Sequence, residues 1–182
     1  MGVFQILAID LVTDQFPSLA LALEPPTERQ RTHTLTGQHL IDGALLRRVF
    51  FVLGPTISVV TLVAFSASLL SGGWQFGDPA TGTTMLAASG AAWATIVLGQ
   101  MANAFAVRSP TQWPGALGWT SNPYLPWAVA SGLVFLVVLL YVPWLAQLLG
   151  QAPPSAIGWA VAVAVVPAVF GMDMIYKRWR AE

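Results

Sequence analysis

Five apolar runs, each close to twenty residues, restrict this chain more than anything else in it: 3–23, 45–70, 84–107, 125–149 and 156–176. A helix needs about 20 residues to cross a hydrocarbon layer ~30 Å thick. In lipid, only helices and closed barrels satisfy every backbone polar group. Charged residues make up 9% of the chain, hydrophobic residues 55%, and mean hydropathy is +0.66. Soluble domains run near 25% charged, so this chain cannot dress a water-facing surface. The expected fold is an all-α integral membrane protein, a bundle of about five transmembrane helices forming a single membrane domain over 1–182, with the lipid bilayer as its first partner. Runs 49–70 and 128–142 are almost free of strongly polar side chains, whereas the first and third runs carry them. Function is therefore expected in spans one and three, with the other three packing and anchoring.

The basic residues are Arg29, Arg31, Arg47, Arg48, Arg108, Lys177, Arg178 and Arg180. They follow spans one, three and five, and the loops 71–83 and 150–155 have none. The positive-inside rule then makes the 24–44 loop, the 108–124 loop and the C-terminus cytoplasmic, with the N-terminus outside. Five helices entered from outside without a leader fit the tail of a longer chain. A formal net charge of zero argues against nucleic acid as a partner. Cysteine is absent, which excludes disulfides, thiolate metal sites and a cysteine nucleophile. No basic n-region precedes the first run, so a cleavable signal peptide is not expected.

Asp10 and Asp14 interrupt that first run. A charge at bilayer depth costs roughly 2.5–3.5 kcal/mol on insertion scales, so such a residue is expected to face protein and to serve a purpose there. Four residues apart on a helix, the two carboxylates share a face, and Thr13 adds a hydroxyl near it. Carboxylate and hydroxyl oxygens are ligands for hard cations, which makes Asp10, Thr13 and Asp14 candidate cation-binding residues and Asp10 and Asp14 the candidate metal ligands. Two facing carboxylates also repel and can share a proton. The plainer alternative is an interfacial segment with both side chains in water. Pro17 falls inside the run, where it removes a backbone donor and frees carbonyls near Thr13 and Asp14.

In span three, Gln100 and Asn103 lie three residues apart on one face. Their amides suit either a cation shell or interhelical hydrogen bonds, and the spacing does not choose between the two. Asp173 precedes Lys177 by four residues, an ion pair that would cap span five. His33 and His39 read as solvated loop residues, and the 24–31 segment as a stiff polar exit from the membrane. Trp74, Trp113, Trp119, Trp127, Trp144, Trp159 and Trp179 cluster near span ends, as in an interfacial aromatic belt. No glycine-rich nucleotide loop, Ser/His/Asp arrangement or zinc motif is present, and no loop is long enough to hold a soluble catalytic domain.

The stretch Ile9-Asp-Leu-Val-Thr-Asp-Gln-Phe-Pro-Ser-Leu-Ala-Leu-Ala-Leu-Glu-Pro-Pro26 resembles the sixth transmembrane helix of type II P-type cation ATPases, with Asp10, Thr13, Asp14 and Pro17 in phase. Landmarks of the later helices follow in order. Leu40-Ile41 resembles the opening of the seventh, Gln100 to Ser109 the eighth, Ser121-Asn-Pro-Tyr-Leu125 the entry to the ninth, and Gly171-Met-Asp-Met-Ile-Tyr-Lys177 the end of the tenth. The sequence departs from the family at Arg29-Gln-Arg-Thr-His-Thr34, where a basic-proline stretch is usual, and at Met174, where a Glu is usual. Asp10 stands where calcium pumps commonly have Asn, as in sodium/potassium and proton/potassium pumps and a set of bacterial ones.

The resemblance implies the C-terminal part (helices six to ten) of the membrane domain of a cation-transporting ATPase in the plasma membrane. It implies cation binding by Asp10, Thr13 and Asp14, with Gln100 beside them and Asn103 as a further candidate. The phosphorylated-aspartate motif, the ATP-binding domain and the fifth helix are not in this sequence. No cofactor is expected in the chain beyond a transported cation. Mg-ATP belongs to an N-terminal pump half, part of the same longer chain or a separate subunit, without which no ATPase activity is expected. The alternatives are a non-enzymatic accessory membrane protein, an inert remnant of a split pump gene, or a small carboxylate-based channel.

Overall fold

The computed structural model describes residues 2–10, 15–24, 43–79, 81–109 and 111–180. Helix α1 (Val3–Ala8) continues through Ile9 and Asp10 as a wider π-type turn, and α2 (Gln15–Ala22) follows. Helix α3 (Gly43–Arg48) runs through a π-type segment (Val49–Leu53) into α4 (Gly54–Ser71). Pro55 explains that segment. It has no N–H to continue the regular ladder, and the Gly54 N–H reaches back five residues to the Val49 carbonyl. Helix α5 (Gly82–Ala106) is about 37 Å long at 1.5 Å per residue. A 3₁₀ turn (Pro114–Leu117) then leads to α6 (Tyr124–Tyr141), α7 (Pro143–Leu149) and α8 (Ala156–Trp179).

Among the described residues, four helical segments are long and apolar enough to cross a membrane: Gly43–Ser71, Gly82–Ala106, Tyr124–Tyr141 and Ala156–Trp179. The first apolar run is described as α1 and α2, and residues 11–14 between them lie outside the described residues. The fourth run differs from the expected continuous span over 125–149. Val142 is extended (φ −80°, ψ 114°), a conformation favoured for a residue that precedes proline, and Pro143 starts a separate short helix. That helix ends on Gly150 in the left-handed region (φ 65°, ψ 43°), a regular glycine stop. Ser155 then caps α8, its Oγ accepting from the Gly158 N–H at 3.1 Å.

Helix α5 is the central element. Of its most apolar eighteen-residue stretch 72% is buried, against 11–28% for the other three. Its sequence makes this possible: Ala88, Ala91, Ala94 and Ala106 are fully buried, and small residues let neighbouring backbones approach without a lipid-facing cost. Gly99 packs against Ile57 of α4, and a Cβ at Gly90 would run into the Ala152 carbonyl. Around α5, Leu53, Trp93, Val97, Leu136, Leu140, Val165 and Val169 form the core, and Ile9 reaches into it from the first span. Trp93 is the tryptophan outside the expected belt. It is wholly buried, and its Nε1 donates to the Gln5 carbonyl at 3.3 Å.

Candidate cation site

The span-one carboxylates divide at the boundary of the described residues. Thr13 and Asp14 lie outside them, while Asp10 is exposed on the surface of the bundle. Its neighbour Ile9 is 7% exposed and packs into the core, so the turn that buries Ile9 directs Asp10 away from it. Asp10 and Val49–Leu53 thus both occupy wider turns, a local geometry that often marks functional positions in helices.

Gln100 and Asn103 are brought together on the wall of a groove between α4 and α5. The groove holds about 760 Å³, and its polar lining is Ser58, Thr61, Ser89, Gln100 and Asn103, set among apolar side chains such as Ile57 and Phe65. Asn103 Oδ1 and Thr61 Oγ1 are buried and have no hydrogen-bond partner among the described residues. A buried polar atom left unpaired costs on the order of 1–3 kcal/mol, so a donor or a cation beside either oxygen would be stabilising. Gln100 and Asn103 thus share one groove wall, as their three-residue spacing on a helix requires. Asp10 does not line this groove.

Several polar residues escape the sequence reading. Ser58 and Thr61 occupy a span read as nearly free of polar function, although their three-residue spacing on α4 was a legible face. Three buried polar clusters join segments far apart in sequence. In the first, Gln5 Nε2 donates to Ser89 Oγ and to Gln151 Oε1, both at 2.9 Å. In the second, Asp173 pairs with Lys177 as the spacing predicts, at 2.6 Å, and also with Arg48 at 2.6 Å. Arg48 Nη2 and Lys177 Nζ both donate to the Ala106 carbonyl at the end of α5, at 2.8 and 3.1 Å, where the helix dipole favours cations. The third cluster joins Glu24, Arg108 and Asn122.

A long small-residue helix packed among apolar helices long enough to cross a membrane is the architecture of a multi-pass membrane domain. The chain belongs to the family described as cation transporting ATPase, C-terminus, whose model matches residues 1–179. It is a multi-pass membrane protein of the P-type cation-transporting ATPase class. It is 28% identical over 178 residues to Calcium-transporting ATPase 1 of Lactococcus lactis, covering 94% of this chain and 18% of that protein. Calcium-transporting ATPase 1 of Bacillus cereus is 25% identical over 174 residues, covering 90% of the chain and 19% of the relative. Mouse calcium-transporting ATPase type 2C member 2 is 24% identical over 186 residues, covering 98% and 18%. The chain thus spans about a fifth of the length of these relatives.

Proposed function

We propose that this chain is the cation-binding C-terminal part of the membrane domain of a P-type pump in the plasma membrane, and that it transports ions only together with an ATP-hydrolysing half. Asp10, Thr13 and Asp14 supply carboxylate and hydroxyl oxygens, Gln100 a neutral amide oxygen, and Asn103 a further one. Entry of the first span from outside, with Arg48, Arg108 and Lys177 toward the cytoplasm, follows from the positive-inside rule. The observation that carries the reading is the groove between α4 and α5, with Asn103 Oδ1 and Thr61 Oγ1 buried and without a partner among the described residues. A membrane helix of the ATP-hydrolysing half seated there would supply donors or complete a cation shell. Asp10 lies off this groove and would need separate cover from the ATP-hydrolysing half, since a carboxylate exposed on a lipid-facing bundle is costly unless another element covers it.

The names of the relatives point to Ca²⁺, and the extra negative charge at Asp10 admits a monovalent cation as well. The test is phosphoenzyme formation by the chain assembled with the ATP-hydrolysing half, titrated with Ca²⁺ and with Na⁺. Asp10→Asn and Asp14→Asn are each expected to weaken the half-saturating cation concentration by at least about tenfold, since each removes a charged ligand. Unchanged cation dependence in both variants would refute the site.

A further inference from the structure

The first span is not held to the bundle by apolar packing alone; it hangs between two polar anchors. At one end Gln5, 1% exposed, is tied to Ser89 and Gln151. At the other end, just beyond α2, Glu24 Oε1 accepts from Arg108 Nε at 3.0 Å and from Arg108 Nη2 at 2.6 Å. Glu24 Oε2 accepts from Asn122 Nδ2 at 2.7 Å. The same Nδ2 donates at 2.8 Å to the Ala20 carbonyl, which also accepts from the Leu23 N–H at 3.2 Å where α2 ends. Asn122 is fully buried, and its Oδ1 accepts from the Tyr124 N–H at the start of α6.

Arg108 is committed on every side. Its side chain is fully buried, Nη1 donates to the Gly118 carbonyl at 2.9 Å, and Nη2 donates also to Ser121 Oγ at 2.5 Å. Each guanidinium nitrogen has an acceptor, and Glu24 is the anion that neutralises it. The carboxylate therefore cannot move without stranding a buried cation, which gives the contact a stiffness that apolar packing lacks.

From this geometry we infer that the Glu24–Arg108–Asn122 latch positions α2 against the end of α5 and the start of α6, and thereby sets the cation affinity of the first-span carboxylates. Asp10 and Asp14 lie in the chain between the two anchors, Gln5 and Glu24. None of the latch residues is a ligand; they act through the placement of the helix. The inference rests on the cation-site reading above, and groups that orient metal ligands from behind typically cost 10–100-fold in affinity when removed.

The experiment measures Ca²⁺-dependent phosphoenzyme in the pump assembled from this chain and the ATP-hydrolysing half, for wild type, Asp14→Asn, Glu24→Gln, Arg108→Gln and the double variant. Each single latch variant is expected to raise half-saturating Ca²⁺ by about tenfold or more while the maximal phosphoenzyme is kept. Because the two side chains act as a unit, the double variant should be no worse than either single one. Unchanged half-saturation, a fall confined to the maximum (a purely folding role), or additive losses would each overturn the latch. A wild type without Ca²⁺ dependence, or an Asp14→Asn variant indistinguishable from it, would instead sink the cation-site reading, and the latch with it.

Discussion

At the scale of single residues, the buried charges carry the strongest consequences. Asp173 is fully buried and pairs with two cations, Arg48 and Lys177, which are themselves 5% exposed. Asp173→Asn would leave both without an anion, and breaking a buried pair from one side costs about 3–5 kcal/mol. Thermal unfolding of the chain in detergent micelles should show that loss. The variant Arg48→Met/Asp173→Leu/Lys177→Met, which removes the charges together, should keep most of the stability. A small effect of Asp173→Asn would mean that the Ala106, Ser109 and Gln112 carbonyls around the two cations compensate them unaided. Half of this cluster is legible in the sequence, because the i, i+4 spacing of Asp173 and Lys177 follows from helix geometry. The partnership with Arg48 is not, since 125 residues separate the two and only the packing of α8 beside α3 joins them. Glu24 teaches the same lesson. Its neighbours Pro25 and Pro26 mark a chain exit, while its partners Arg108 and Asn122 come from another part of the fold.

At the scale of elements, glycine positions distinguish contact from conformation. Gly90 lies where α5 meets the 150–155 loop; the Ala152 N–H donates to the Leu86 carbonyl at 3.0 Å, and the Ala152 carbonyl sits where a Cβ at 90 would go. Backbone cannot rotate aside as a side chain can, so Gly90→Ala should destabilise by about 1–3 kcal/mol. Gly171 in α8 has open space where its Cβ would stand, and Gly171→Ala should stabilise by up to about 1 kcal/mol through helix propensity. Opposite signs in detergent unfolding would establish α5 as the close-packed axis, and equal signs would count against it. The membrane class and the apolar runs follow from composition and length alone. Element breaks are less legible. Pro143 divides α6 from α7, its predecessor Val142 taking the extended conformation that proline favours. Pro126 and Pro167 lie inside continuous helices, and the apolar runs pass straight through all three. Hydropathy registers which solvent a residue prefers and is blind to the backbone donor that proline lacks.

At the scale of the whole molecule, the groove between α4 and α5 separates the stability of the chain from its assembly. Ser58 is exposed and lines the groove, and among the described residues no side-chain hydrogen bond ties it to either wall. A tryptophan there fills part of the roughly 760 Å³ without displacing core side chains. Ser58→Trp is therefore expected to change the unfolding of the isolated chain by no more than about 0.5 kcal/mol, as surface substitutions do. The same substitution should abolish co-purification with the ATP-hydrolysing half, because a helix cannot seat where an indole stands. Val134, 62% exposed on α6, provides the control: Val134→Trp adds the same bulk away from the groove and should leave assembly intact. If both variants assemble equally well, the groove is a lipid-filled crevice, and the unpaired oxygens of Thr61 and Asn103 would have to be satisfied by water instead. If only Ser58→Trp fails, the partner helix lies along Gln100 and Asn103, and the neutral oxygens of this chain meet whatever ligands the other half contributes.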